Sequence, residues 1–267
     1  MATLPFVFQI VVLFILGACI GSFLNVCIER WPKEESIVYP RSYCIHCHQP
    51  IPWHLNIPIL GWLFLKGKTA CCQKKIPLRY FLLEVGFSFV TVFVYLHFQF
   101  LFLPFFILFC LLWVAFFTDI DTMTIPDEVT LLGISLGIVL SYFYPEIQKQ
   151  GESFQGLIHS IQSTFLAIGG LFAFLSFAEF FLKKEAMGLG DVKLMGCIGA
   201  FCGWQICLQA LFLAAILGCF CLFFYYCFSA FLLKKEIRLK DKQIPFGPFL
   251  SIATVICVSF PIKIWIF

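Results

Sequence analysis

Three stretches of the chain carry residue types that could do chemistry. The first is acidic: Asp119 and Asp121 close an apolar run, and Asp127 follows Pro126 shortly after. The second, Gly188-Leu189-Gly190-Asp191, sets one carboxylate behind two glycines and ahead of Val192-Lys193. The third is sulfur: Cys44-Ile45-His46-Cys47, with adjacent Cys71-Cys72 later in the same polar segment. Two aspartates within hydrogen-bonding reach cannot both ionise easily, so they share a proton and one apparent pKa rises. The ionised member can then activate a water while the protonated one polarises a carbonyl, which is the logic of aspartic proteolysis. A C-x-x-C spacing is one half of a zinc site, two thiolates from a tight turn gripping one ion.

Each acid also has a plainer reading. Asp127 and Asp191 sit where apolar helices begin, so either could cap a helix or favour its N-terminal dipole. The glycines shift the balance. Gly188 and Gly190 free the backbone for conformations closed to other residues and let another chain approach closely, which a loop that only turns does not require.

What must position these residues is a bundle of helices in a bilayer. Hydrophobic residues make up 61% of the 267 and charged ones 12%, far too few charges for the surface of a soluble domain. The predicted fold is an all-α polytopic membrane protein with about eight spans, near 4–28, 81–98, 102–119, 128–144, 157–182, 194–206, 208–233 and 245–267. The run from Leu194 to Leu233 is too long for one helix and is broken near Gly203-Trp204-Gln205. The chain therefore divides into a first transmembrane helix (1–28), a cytoplasmic insertion between helices 1 and 2 (29–80) and a transmembrane core (81–267). Leu16-Gly17-Ala18-Cys19 resembles a lipoprotein cleavage box, but no Lys or Arg precedes Cys19 and the apolar run is long, so the first helix is expected to be retained.

Charge sets the orientation. Of 18 Lys and Arg residues, 16 fall in 29–80, 183–193 and 234–244, and only Lys149 and Lys263 fall on the other side. Cytoplasmic loops retain basic residues, so those three segments face the cytoplasm and both termini face outward. Asp119 then ends the third span and Asp191 immediately precedes the sixth, two carboxylates at similar depth on the cytoplasmic face. Ionisable residues at such an edge are functional candidates by default. Topology accounts for the basic residues, and nucleic acid is not expected as a partner.

Asp119 with Pro126-Asp127, together with Gly188-Leu189-Gly190-Asp191, resembles the two signatures of the type IV prepilin peptidases, GxGD aspartyl proteases. The likeness continues in Gly21-Ser22-Phe23-Leu24-Asn25-Val26, in Ile51-Pro52-Trp53 through Asn56-Ile57-Pro58, and in Leu78-Arg79-Tyr80 followed by Glu84. It implies that Asp119 and Asp191 are the catalytic pair, that Asp121 and Asp127 are supporting acids, and that Gly188 and Gly190 shape the loop. Lys193 would steer substrate or, on the preferred reading, anchor the cytoplasmic face. The implied activity is removal of a short basic leader from prepilin-like proteins, of type IV pili or type II secretion, at the cytoplasmic face of the bacterial inner membrane. The family couples that cut to N-methylation from S-adenosylmethionine, although no glycine-rich cofactor loop is found in 29–80.

In many members of that family a second C-x-x-C completes a tetrathiolate zinc site. Here Thr69 stands where the first of those cysteines is expected, leaving Cys71-Cys72. Adjacent cysteines are poor partners for one tetrahedral ion, so Cys44, Cys47 and Cys72 are expected to bind zinc, with Cys71, His46 or His48 as the fourth ligand. Free thiols and a lost metal site are the alternatives. Two other readings of the whole chain stand beside the peptidase: a proton-coupled transporter using the same aspartates, against which no internal repeat is found, and a scaffold whose enzyme has decayed.

Overall fold

The computed structural model describes residues 5–183, 187–233 and 244–260. Among them there is no strand, only the isolated bridges Tyr43–Pro50 and Lys68–Lys75. The helices are α1 (Phe6–Arg30), α2 (Leu60–Phe64), α3 (Leu78–Phe98), α4 (Phe102–Thr122), α5 (Asp127–Phe143), α6 (Ser153–Leu182), α7 (Leu189–Cys202), α8 (Trp204–Leu233) and α9 (Gly247–Ser259). Four stretches of the described residues are long and apolar enough to cross a membrane: Phe6–Lys33, Leu78–Thr122, Ser153–Phe181 and Trp204–Tyr225. The chain is thus an all-helical membrane protein. Lys184, Lys234, Lys235, Arg238, Lys240, Lys242 and Lys263, which entered the charge tally, lie outside the described residues, as does the end of the last expected span.

The chain forms two compact units, Met1–Phe106 and Ile107–Phe267. In the first, α1 packs along α3. Gly17 and Gly21, one turn apart on α1, make this close approach possible. A Cβ at Gly17 would lie 2.6 Å from Thr91 Oγ1 and 2.7 Å from Ser88 Cα, and one at Gly21 would lie 3.2 Å from Glu84 Cα. Small residues at such a seam let helix backbones gain dispersion contacts where no hydrophobic effect drives association. Two tight turns in the insertion precede and follow α2, and Trp62 of α2 rests on Phe81 of α3 with ring centroids 4.8 Å apart.

In the second unit α7 is central. It packs against α5, α6, α8 and α9, and every residue from Leu194 to Cys202 is buried. Gly133 and Gly137 of α5 and Gly196 and Gly199 of α7 line these seams. The carbonyls at the end of α7 are held from outside the helix: Ala200 O accepts from Gln148 Nε2 at 2.7 Å, Ser160 Oγ at 2.7 Å and Ser141 Oγ at 3.1 Å. Terminal carbonyls without intrahelical partners are thereby satisfied inside the protein. Gly203, with φ of 84°, ends α7 and lets α8 start at Trp204, at the break expected from the sequence.

Candidate active site and thiol cluster

Asp119 lies in the last turn of α4 and is buried, 5% exposed. Its Oδ2 accepts the Gly247 N–H at 2.8 Å. Gly247 is the first residue of α9, so this amide has no partner within its own helix, and the helix N-terminus favours negative charge. The seat depends on glycine. A Cβ at Gly247 would stand 2.8 Å from Asp119 Oδ2 and 3.1 Å from its Cγ. Gly247 was missed by the sequence reasoning. Its only sequence signal is Gly247-Pro248, a proline in the first turn of a helix.

Asp191 occupies the first turn of α7, just ahead of the apolar run 194–206, and is half-buried. Its Oδ1 is buried and has no hydrogen-bond partner among the described residues. Burial, and after it the charge of Asp119, push its carboxyl up to about 7. The structure therefore brings the two aspartates into electrostatic contact although they are far apart in sequence. Holding one proton between two such groups is the state that activates a water on one side and polarises a carbonyl on the other.

The surrounding residues divide. Lys193 Nζ pairs with Asp127 Oδ1 at 2.7 Å, tying the start of α5 to the first turn of α7 next to Asp191. Both side chains are partly exposed, so the pair fixes position more than it stabilises. Asp121 is exposed at the end of α4. Gly188 has φ of −70° and ψ of 144°, ordinary extended backbone, so the expected need for a forbidden conformation is not met there. Close approach is met at Gly190, where a Cβ would lie 3.3 Å from Ile125 Cβ.

The insertion gathers four thiols. Cys44, Cys47, Cys71 and Cys72 place their sulfurs within 4.8 Å of one another. Two turns of the same design carry them. Cys44 N–H donates to Gln49 O and His48 N–H to Cys44 O; in the second turn Thr69 N–H donates to Lys74 O and Gln73 N–H to Thr69 O. His48 and Gln73 share a φ of 56°. Thr69 thus stands where Cys44 stands in the first turn and Cys72 where Cys47 does, while Cys71 brings the fourth sulfur from the position of His46. This differs from the expectation that adjacent cysteines serve one site poorly, because the turn bends Cys71 back toward Cys47, with 3.2 Å between sulfurs. His46 Nε2 instead faces Lys75 O at 3.3 Å, and His48 lies against the Tyr43 ring.

The donor set suits a thiophilic ion. Backbone amides of His46 and Cys47 lower the Cys44 thiol to about 6, and the Thr69 hydroxyl, 3.1 Å from its sulfur, lowers Cys72. Cys71, hydrogen-bonded to Cys47, is pushed up to about 12. The Cys44–Cys72 separation is 3.8 Å. Zinc–sulfur bonds of about 2.3 Å in a tetrahedron require sulfurs about 3.8 Å apart, so the residues fit zinc.

Fold and site together define an all-helical membrane protein with one buried and one half-buried carboxylate that sense each other's charge, and a separate thiol cluster. Comparison with known proteins gives the family. The profile described as "Bacterial Peptidase A24 N-terminal domain" matches residues 15–98, and that of the "Type IV leader peptidase family" matches residues 106–223. Among curated proteins, a prepilin leader peptidase/N-methyltransferase of Klebsiella pneumoniae is 36% identical over 76% of this chain and 89% of its own length. One of Aeromonas hydrophila is 32% identical over 90% of this chain and 87% of its own. A third, of Myxococcus xanthus, is 33% identical over 78% of this chain, which spans only 60% of that relative. No solved structure matches. The chain belongs to the type IV leader peptidase family and is a membrane-embedded protease. These relatives lend no support to the transporter alternative.

Proposed function

We propose that the chain is an aspartyl endopeptidase that removes the leader of prepilin-like proteins, with Asp119 and Asp191 as its catalytic pair. The observation that carries this reading is the carboxylate pair, buried Asp119 and half-buried Asp191, in which Asp191 feels the charge of Asp119 and keeps one oxygen without a partner among the described residues. Asp119, seated on the Gly247 amide, is the ionised member and draws a proton from the attacking water. Asp191 is the protonated member and donates to the scissile carbonyl, stabilising the oxyanion as it forms. Asp127 and Lys193 hold the first turn of α7 in place. Asp121 supports the pair from the exposed end of α4, and Gly188 and Gly190 shape the start of α7.

The wider arrangement we propose is the one expected from the sequence: eight spans with 29–80, 183–193 and 234–244 on the cytoplasmic side of the bacterial inner membrane, which would put the pair at the inner face, where a leader meets its hydrophobic helix. The three units of that scheme are the first helix (1–28), the insertion (29–80) and the peptidase core (81–267). Cys44, Cys47, Cys71 and Cys72 would hold a zinc ion, which supplies a structural crosslink between the two turns. The relatives are named N-methyltransferases, and the same second activity, with S-adenosylmethionine as methyl donor, is assigned to this chain.

Co-expression with a prepilin, followed by mass measurement of its N terminus, tests the core of the proposal. Asp119→Asn and Asp191→Asn are expected to insert normally and to leave the leader attached. A cut prepilin in both variants would overturn the assignment.

A further inference from the structure

The short helix α2 buries one face and exposes the other. Gly61 and Trp62 turn inward, with Leu55 O against Gly61 and the Trp62 ring on Phe81 of α3. Leu60, Leu63 and Phe64, spaced i, i+3 and i+4, share the opposite face and are 47%, 49% and 75% exposed. An apolar patch of this kind, rimmed by polar residues, marks a contact surface.

Place and charge say what covers this face. The Ile59 N–H, immediately ahead of α2, donates to Glu84 Oε2 at 2.7 Å, so Glu84 and Phe81 together pin α2 to the first two turns of α3. At Leu78 α3 opens the stretch Leu78–Thr122, long and apolar enough to cross a membrane, so α2 lies where lipid headgroups begin. Between Glu35 and Glu84 the chain has six Lys and Arg residues and no Asp or Glu. Lys66 and Lys68 follow α2 directly, and Lys68 is bridged across the second thiol turn to Lys75. Lys66, Lys68, Lys74 and Lys75 are exposed, and none has an acidic partner among the described residues. Like charges set opposite each other across a bridge repel, and an anion between them relieves the repulsion.

We infer that α2 and the lysines after it form an interfacial foot that docks on the headgroups of anionic phospholipid. Leu60, Leu63 and Phe64 enter the acyl boundary, while Lys66, Lys68 and Lys75 meet phosphates. An apolar helix face flanked by cations is the composition that such a surface holds, through buried apolar area and attraction to anionic lipid together. A cationic partner, such as a basic leader, is repelled by the same lysines and is excluded as the occupant. The inference requires only that α3 spans a bilayer, and it stands whatever the chain cuts. Because Lys68 and Lys75 frame the second thiol turn, docking there also fixes that turn against the membrane.

The test follows amide hydrogen exchange by mass spectrometry in the full chain, in nanodiscs of phosphatidylcholine alone and of phosphatidylcholine with phosphatidylglycerol. A single molecule in each disc keeps a second copy out of the result. Each lysine at an anionic surface changes docking about fivefold, so amides of 60–68 are expected to exchange at least about tenfold more slowly in the anionic discs. Lys66→Glu combined with Lys68→Glu removes that difference, Lys149→Glu keeps it, and added salt shrinks it. Phe64→Ser, at a side chain with little protein packing to lose, speeds exchange in discs of either composition, and no change there would refute insertion of the apolar face. Exchange across Leu194–Cys202 reports that each variant is folded. Equal wild-type exchange in the two discs, a difference that survives the double lysine variant, or one that Lys149→Glu also abolishes overturns the inference. Inorganic phosphate that slows exchange in neutral discs as much as the anionic lipid does would reassign the lysines to a free anion and overturn it as well.

Discussion

Gly247→Ala perturbs the pair without touching either aspartate. The new methyl carbon would stand 2.8 Å from Asp119 Oδ2, 3.1 Å from Cγ and 3.2 Å from Cβ, so the whole carboxyl group must swing away. The 2.8 Å bond from the Gly247 amide is then lost. A hydrogen bond to a charged group contributes about 1.5–3 kcal/mol. If that stabilisation is needed in the transition state, kcat falls about 10- to 150-fold. Since the displaced group is the end of a side chain, the fold should survive. Gly218→Ala serves as the control, because a Cβ there meets only Phe249 at 3.8 Å. Single-turnover cleavage of a purified prepilin in detergent, with melting curves for both variants, reads the effect. A Gly247→Ala enzyme that cuts at the wild-type rate would refute the claim that this amide seats a working carboxylate.

With the Asp191 carboxyl at about 7, the proton it must hold is lost above that pH, so kcat should fall about tenfold per unit on the alkaline side and fall again on the acid side as Asp119 takes up a proton; a rate that keeps rising beyond pH 8 would contradict the assignment of Asp191 as the acid. The same raised pKa makes stability greatest below the ordinary carboxylate range and lowers it as pH rises through about 7, and Asp191→Asn should flatten that slope in melting experiments. In the thiol cluster, Cys71→Ser should lose zinc by metal analysis, and adding Thr69→Cys should restore it because residue 69 matches the place of Cys44; failure of that rescue would break the equivalence of the two turns. Gln148→Ala, which strips donors from Gly199 O and Ala200 O, should cost about 1–3 kcal/mol in thermal or denaturant melting, and no loss would mean other groups satisfy those carbonyls.

Much of the site was legible because membranes make acids expensive. Asp119 and Asp191 stood out as carboxylates at the edges of apolar runs, and Gly203 marked a helix break through its residue type alone. Gly247 was not legible, since nothing in Gly247-Pro248 says which carboxylate its amide will meet across more than a hundred residues of chain. Cys71 was one of three candidates for the fourth ligand, because adjacent cysteines are poor partners for one ion on spacing alone; the turn with a left-handed residue at Gln73 brings its sulfur into the cluster. Lys193 could be read as an anchor from the charge rule, but its partner Asp127 is visible only in three dimensions. The number of spans also stayed open, as α5, α7 and α9 are short helices whose burial among neighbours hides the length signal that marks a lone membrane crossing.

The sheathing of α7 on all sides has a consequence for how the enzyme meets its surroundings. Because Leu194 to Cys202 are all buried, the position of Asp191 relative to its neighbours is set by the helices around α7 and by the clasp on Ala200 O rather than by direct contact with acyl chains. On the proposed reading of Asp191 as a catalytic acid, a change in bilayer thickness would reach it only by moving those helices together.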